Sequence, residues 1–152
     1  MRKFTSAGEI IDFAIQLEQD AVNFYKALAK NADGPEMKQV FEQFAREEMV
    51  HKSRLTEVNE REMYEMEPEV VENMQVSDYL VSIRPSHGMS FNDALVLAIK
   101  MEQAAFRLYM DLADKAPEEE MKQLFLSLAL EESRHKLRFE LEYNKSKTGE
   151  EE

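Results

Sequence analysis

Four glutamates and two histidines stand out in this 152-residue chain because their spacing places polar groups where a helical core is expected. Glu18 lies four residues after Ala14 and three before Ala21, so it falls on the apolar face of a helix rather than its solvent face. The complete set of inward-facing polar residues predicted in this way is Glu18, Glu48, His51, Glu102, Glu132 and His135.

The chemistry that suits such a set is binding of two divalent metal ions. A buried, unpaired carboxylate costs several kcal/mol, and four of them in one core would also repel one another. Two divalent cations supply a formal charge of +4, and two neutral imidazoles complete the coordination without adding charge. Oxygen and nitrogen ligands suit iron, manganese or zinc, and iron is the choice that can react with dioxygen or peroxide.

The two Glu-x-x-His motifs, at 48–51 and 132–135, gain their significance from their register. Glutamate is so frequent in this acidic chain that a single motif of this kind means little. Both motifs, however, occupy equivalent positions of an internal repeat. An offset of 84 aligns residues 9–58 with 93–142 without a gap, with roughly 20 of 50 pairs identical. The chain therefore looks like a duplicated helical hairpin.

Apolar residues at steps of three and four predict four long helices, two in each repeat. The first covers about 7–31 and begins with a capping box formed by Ser6 and Glu9. The second begins at the Gly34-Pro35 break and reaches about residue 64. The third begins near Ser90, the fourth opens at Pro117, and a polar tail follows Tyr143.

The lengths of the connections predict how these helices are arranged. Short connections at 32–35 and 116–117 force antiparallel neighbours within each hairpin. A crossover of about 25 residues, from Glu65 to Met89, is long enough to span the bundle, and we predict a short helix near 77–83 within it. Two hairpins joined by one long crossover are the connectivity of a ferritin-like four-helix bundle. The predicted domain is 1–145, followed by a polar tail at 146–152.

Composition excludes several classes of function. The net charge of −12 argues against binding to nucleic acid or to anionic lipid. The chain has no cysteine, so thiolate sites, iron–sulfur centres and rubredoxin-type centres are excluded. No apolar run approaches the length of a membrane helix and no signal peptide is recognised, so we expect a soluble cytoplasmic protein.

This order of motifs, a single Glu, Glu-x-x-His, a single Glu and Glu-x-x-His, resembles the ferritin-like di-iron carboxylate superfamily, and rubrerythrin most closely. The resemblance covers about residues 5–145. It implies Glu18 and Glu102 as single-helix ligands, Glu48 and Glu132 as bridging ligands, and His51 and His135 as one nitrogen ligand per metal. Two features depart from rubrerythrin: Ala105 stands where a second helix-borne carboxylate is expected, and these 152 residues contain no cysteine for a rubredoxin-type centre.

Three further sets of residues lie beside these motifs or in the crossover. Glu47 and Glu131 precede the motif glutamates and sit about 100° around the helix, so we predict them at the rim or facing solvent. Tyr25 and Tyr109 each follow an inward Glu by seven residues, so they are either carboxylate partners or plain core aromatics. His87 lies in the crossover without a motif partner and is assigned no role.

The function expected from this pattern is reduction of peroxide or dioxygen at a two-iron site, with electrons from an external donor. The alternatives are an iron-binding ferroxidase or storage protein, a helical module whose metals are only structural, and an oxygenase with an organic substrate. The oxygenase requires a pocket that reaches the metals. A homodimer or a higher homo-oligomer is expected in each case.

Overall fold

The protein is a bundle of four long helices, described here from a computed structural model that places residues 3–32, 34–81 and 89–148. Helix α1 spans Ala7–Lys30, α2 Pro35–Glu60, the short α3 Pro68–Asn73, α4 Phe91–Lys115 and α5 Glu119–Thr148. A 3-10 turn, Val76–Tyr79, lies in the crossover between α3 and α4. Among these residues the only β pairing is an isolated bridge between Lys3 and Gln75. The predicted all-α bundle is confirmed.

The helices begin where the sequence chemistry predicts. The hydroxyl of Ser6 accepts a hydrogen bond from the backbone N–H of Glu9 at 3.1 Å, and Ser90 caps α4 through Asp93 at the same distance. Gly34 and Pro35 open α2. The Glu9 carboxylate, however, accepts from the backbone and hydroxyl of Thr5 rather than from the Ser6 N–H of a capping box.

Two helix ends differ from the prediction. Helix α2 stops at Glu60 rather than near 64, because Glu62 adopts a left-handed φ of 52° and the Met63 N–H turns back to the Val58 carbonyl at 2.9 Å. This is a Schellman-type ending without the usual glycine, so the sequence carried no signal for it. Helix α5 begins at Glu119, two residues after Pro117, and continues past Tyr143 to Thr148.

The segment that follows α2 is anchored to α4 by two hydrogen bonds. The Tyr64 hydroxyl donates to the Leu112 carbonyl at 2.6 Å, and the Tyr79 hydroxyl donates to Asp111 at 2.6 Å. A short crossover helix, α3, occupies 68–73, earlier than the predicted 77–83. Of the described part of that predicted range, residues 77–79 belong to a 3-10 turn. Residues 82–88, which include His87, lie outside the described part of the chain.

The core forms two lobes, one at each end of the bundle. One lobe joins the start of α1, including Ile10 and Ala14, to the end of α4, including Leu108 and Leu112. Helices α1 and α4 are therefore antiparallel. The other lobe joins the end of α1 to the start of α4, with Phe41 and Phe139 among its largest side chains. The six polar residues predicted to face inward lie at the middle turns of the helices, between these lobes.

Positions 84 residues apart fall in opposite lobes. Ile10 and Ala14 lie in the first lobe, whereas Ala94 and Ala98 lie in the second. A two-fold relation between the hairpins would produce this exchange. Helix α1 packs closely along α2, and α4 along α5, but α1 and α4 approach each other less closely.

Candidate metal centre

The structure brings all six predicted residues together. Each side chain is at most 1% exposed, although all six are polar. Each of the four long helices contributes: Glu18 comes from α1, Glu48 and His51 from α2, Glu102 from α4, and Glu132 and His135 from α5. The helical register assigned to these residues from sequence is therefore correct, and it places them in one layer between the two apolar lobes.

The six residues form two overlapping groups of four. The first consists of Glu18, Glu48, His51 and Glu132, and the second of Glu48, Glu102, Glu132 and His135. Within each group, one oxygen or nitrogen atom from every residue lies within 4.8 Å of the others. Glu48 and Glu132 belong to both groups, so these two carboxylates stand between two neighbouring sites for cations.

Both histidines turn the same ring nitrogen toward the cluster. The Nδ1 atom of His51 lies 3.0 Å from Glu48 Oε1 and 3.3 Å from Glu132 Oε1. The Nδ1 atom of His135 lies 2.7 Å from Glu102 Oε2. The ring of Phe44 stacks on the His135 ring with a centroid separation of 3.9 Å, which limits its rotation. Nδ1 is thus the nitrogen available to a metal at both positions.

Glu47 and Glu131 hold the outer nitrogen of each histidine across the two hairpins. Glu131 Oε1 lies 3.0 Å from His51 Nε2, and Glu47 Oε1 lies 2.7 Å from His135 Nε2. These carboxylates are at the rim, with side chains 30% and 21% exposed, but they do not simply face solvent. When such a carboxylate accepts the Nε2 proton, the Nδ1 lone pair is left for a metal.

This role of the rim glutamates was missed from sequence. Their offset of about 100° from the inward glutamates is as predicted. Because α2 and α5 lie side by side, however, each rim glutamate points toward the histidine of the neighbouring helix rather than toward water. The signal that could have found them is the repeat itself. Each Glu-x-x-His motif is preceded directly by Glu, at 47 and again at 131.

The two repeat-equivalent tyrosines are buried beside the cluster but differ in their contacts. The Tyr109 hydroxyl donates a short hydrogen bond to Glu18 on the opposite helix α1, not to Glu102 on its own helix. The Tyr25 hydroxyl is buried without a hydrogen-bond partner among the described residues. Burial raises the pKa of both phenols well above 10, and carboxylates, chiefly Glu102 for Tyr25 and Glu18 for Tyr109, raise it further. Both tyrosines therefore stay protonated.

The electrostatics of the metal-free cluster show how much negative charge it concentrates. Burial raises the pKa of Glu48 well above its usual value, and the neighbouring Glu18 and Glu102 raise it further. Burial also raises the pKa of Glu132 well above its usual value, and the neighbouring Glu102 and Glu18 raise it further. Burial lowers the pKa of His51, but the adjacent carboxylates of Glu132 and Glu18 outweigh this and raise it to about 11. Without metal, protons must take the place of cations.

The donor atoms fit divalent metal ions. Seven buried side-chain atoms of the described residues lack a hydrogen-bond partner, and five of them belong to this cluster: Glu18 Oε1, both carboxylate oxygens of Glu48, His51 Nδ1 and Glu132 Oε1. Buried polar atoms are ordinarily satisfied, so unpaired atoms converging on one point need an explanation. Oxygens and imidazole nitrogen are the ligands that iron, manganese and zinc accept.

The cluster is reached through a groove between α1 and α4, which we call the α1–α4 groove. It has a volume of about 770 Å³ and is lined by both helices, by Leu80 and Val81 of the crossover, and at its inner end by Glu102 and Glu132. The histidines approach the cluster from α2 and α5, on the opposite side. The open side of the centre is therefore the side formed by α1 and α4, which contribute one glutamate each, Glu18 and Glu102.

Comparison with known proteins decides the family. The profile of the rubrerythrin family matches residues 9–82 and 93–152, which is most of the chain. The chain belongs to the rubrerythrin family. Membership confirms the resemblance drawn from the motifs and agrees with a buried Glu/His site for metal between the helices. A search of curated proteins found no significant match.

Two solved structures share the fold of this rubrerythrin-family chain. A proposed ferritin-like diiron-carboxylate protein from Thermotoga maritima is 19% identical, with a TM-score of 0.76 over 96% of this chain and 99% of that chain. A hypothetical protein from Pyrococcus furiosus is 26% identical, with a TM-score of 0.73 over 91% of this chain and 88% of that chain. Both likenesses extend over the whole bundle.

Within the described residues, no helix is long and apolar enough to cross a membrane.

Proposed function

We propose that this rubrerythrin-family protein is a di-iron oxidoreductase that reduces peroxide or dioxygen. The observation that carries the proposal is the pair of overlapping four-residue groups that share Glu48 and Glu132. Two groups sharing two carboxylates are suited to two cations held close together, whereas a single cation would leave half of the cluster unused. Glu18 with His51, and Glu102 with His135, would then complete one site each.

The charge of the cluster supports two divalent ions. Four ionised glutamates carry −4, which two divalent cations balance, and both histidines bind as neutral rings. Iron is proposed because two ferrous ions supply the two electrons that peroxide reduction requires. Manganese or zinc would satisfy the same ligands.

The protein's own residues position and insulate this centre. Glu47 and Glu131 hold the histidine rings so that Nδ1 faces inward, and Phe44 fixes the His135 ring. The Tyr109 hydroxyl donates a hydrogen bond to Glu18 across the bundle and so fixes the position of that carboxylate. The aromatic and aliphatic lobes on both sides exclude water along the bundle axis, which leaves the α1–α4 groove as the approach for small oxidants.

Sustained turnover requires electrons from outside the chain. Without cysteine the protein cannot hold a rubredoxin-type or iron–sulfur centre, so we propose a separate redox protein or reductase as the donor. We also propose a homodimer as the working assembly.

Metal analysis followed by rapid kinetics tests the proposal. Protein loaded anaerobically with ferrous iron should contain two ions per chain. After rapid mixing with peroxide or with dioxygen, at least one of the two oxidants should oxidise the bound iron. A zinc-loaded sample is the matched control, since it fills the same ligands without redox chemistry. Two bound iron ions that neither oxidant oxidises would show a structural site instead.

The same samples separate an oxidoreductase from an iron store. A store would continue to take up and oxidise iron far beyond two ions per chain, and its native mass would be that of a closed shell. A dimer that stops at two ions and turns over peroxide when an artificial reductant is supplied supports the proposal.

A further inference from the structure

The α1–α4 groove is much larger than peroxide or dioxygen requires. A water-sized molecule occupies about 30 Å³, whereas the groove encloses about 770 Å³. Volumes of about 300–1,000 Å³ are typical of sites for small organic molecules. The groove runs beside α1 from Glu9 to Ala27, so its shape is elongated along the helix.

The wall of the groove is apolar along most of this length. Phe13, Leu17 and Phe24 contribute from α1, and Leu97 and Met101 from α4. Leu17, Phe13 and Met101 remain half-buried in the chain as it stands, which shows that the helices do not close over them. Such a wall favours a hydrocarbon chain over a hydrated ion, because it offers an ion no ligands.

The outer edge of the groove is acidic. Asp12 and Asp20 are exposed on α1, and Glu9 lines the same edge. No lysine, arginine or histidine is found among the described residues lining the groove, although the chain has 19 lysines and arginines. The edge therefore favours a positively charged group and disfavours a carboxylate.

The inner end of the groove meets the proposed metal centre. Glu132 is 1% exposed, lines the groove, and keeps its Oε1 without a hydrogen-bond partner among the described residues. Once two divalent ions balance the four glutamates, this end is formally neutral, and the outer edge is the remaining negative region. A cationic group is then held at the edge, and an attached apolar chain points to the metals.

We propose that the α1–α4 groove binds a linear amphiphilic cation, an ammonium group on a hydrocarbon chain, with the chain directed at the metal centre. This inference goes beyond the proposed function, and it rests on that function only in that two bound metal ions neutralise the inner end of the groove. The ammonium group lies near Asp20 and Asp12, and the chain lies along Leu17, Phe24 and Met101.

Calorimetry with simple probes tests binding. Zinc-loaded full-length protein should bind n-octylamine, protonated at neutral pH, about tenfold more tightly than octanoate. Shortening the chain from octyl to butyl should weaken binding by about fourfold for each methylene removed. Equal affinity for amine and carboxylate, or no dependence on chain length, would overturn the proposal.

Charge reversal at the groove edge tests the placement of the ammonium group. Asp20→Lys should weaken octylamine binding by about three- to tenfold and strengthen octanoate binding. Asp114→Lys is the matched control, since Asp114 is exposed on α4 but does not line the groove. Equal effects of the two substitutions would show that only the overall charge of the protein matters. Met101→Trp should fill the groove and abolish binding of both probes while the helical circular dichroism is retained.

Proton relaxation tests the direction of the chain. With Mn²⁺ in the centre, the terminal methyl protons of octylamine should broaden more than the methylene protons beside the nitrogen, relative to the zinc form. The reverse order would place the ammonium at the metals and contradict the proposal. If the protein binds no metal at all, the proposed function fails, while the calorimetric comparison can still be made on the metal-free chain.

Sedimentation, which reports the mass of the protein in solution, tests whether a second copy of the chain occupies the groove instead of an amine. If Asp20→Lys and Met101→Trp change the sedimentation of the protein and octylamine does not bind, the groove is a surface between copies of the chain. That result would overturn the proposal.

Discussion

At the scale of single residues, the cluster contains pairs that are adjacent in sequence but differ in position. Glu48→Ala removes a carboxylate shared by both four-residue groups, so we expect it to lose most of the bound metal. Glu47→Ala leaves the inner carboxylates in place and removes only the hydrogen bond to His135, and such changes lower metal affinity by about 10- to 100-fold. Metal content per chain at limiting metal should follow the order wild type, Glu47→Ala, Glu48→Ala.

The equivalent pair on α5 supplies an internal check. Glu131→Ala and Glu132→Ala should repeat the same order, because Glu131 holds His51 as Glu47 holds His135. Equal losses within either pair would show that the assigned helical faces are wrong.

The two buried tyrosines allow a second matched comparison. Tyr109→Phe removes the donor to Glu18 in a buried setting, which should lower the free energy of unfolding of the metal-free protein by about 1–3 kcal/mol. Tyr25→Phe removes a hydroxyl that has no partner among the described residues, so it should be nearly neutral or stabilising. Urea unfolding of both variants measures this difference, and equal changes would refute the asymmetry between the two hydroxyls.

At the scale of elements, the end of α2 is strained in a way that one substitution can relieve. Glu62 has a φ of 52°, a conformation that costs a residue with a side chain about 1 kcal/mol relative to glycine. Glu62→Gly should therefore stabilise the protein by about 0.5–1 kcal/mol. Glu60→Gly is the control, and it should destabilise by a similar amount because Glu60 is still helical. Urea unfolding of both variants measures these changes. If the unfolding midpoints of both variants shift in the same direction, this account of the helix end is wrong.

The same helix end illustrates what sequence could and could not predict. The long helices and the inward faces of Glu18, Glu48 and His51 followed from local periodicity, and the repeat provided an independent test of register. The stop at Glu60 did not follow, since it depends on a left-handed residue that is not glycine. The contact of Glu47 with His135 did not follow either, because it depends on how one helix is set against another. For Tyr109 the sequence offered a carboxylate as one of two possible surroundings, but it did not indicate that the carboxylate would be Glu18 on another helix.

At the scale of the whole molecule, the polar layer divides the core into two apolar lobes and places its charge in the middle of every long helix. A polar layer in this position opposes folding unless its charge is compensated. The lobes are rich in aromatic contacts, such as the pair Phe41–Phe139 and the pair Tyr64–Phe125. The lobes thus stabilise the bundle, and cations or protons decide the contribution of the layer between them.

The pH dependence of stability should therefore reverse on metal binding. In the metal-free protein the pKa values of Glu48 and Glu132 are raised above their ordinary value by burial and by neighbouring carboxylates, and that of His51 is raised to about 11 by the carboxylates beside it despite burial. A group with a raised pKa in the folded state binds more protons there than in the unfolded chain, so stability is lost as pH rises. The loss should begin above the ordinary carboxyl pKa of about 4.5 and continue through the alkaline range.

Glu47 acts in the opposite direction at acid pH. Burial raises its pKa, but hydrogen bonds from His135 and Gln43 outweigh this and lower it, so its contribution is lost as pH falls below the ordinary carboxyl range. The metal-free protein should consequently be most stable at mildly acid pH. Metal binding requires the ligands to lose their protons, so affinity and the stability gained from metal should both increase with pH. Urea midpoints measured from pH 5 to 9, with a chelator and with saturating zinc, should diverge as pH rises, whereas parallel curves would mean that the cluster is not a metal site.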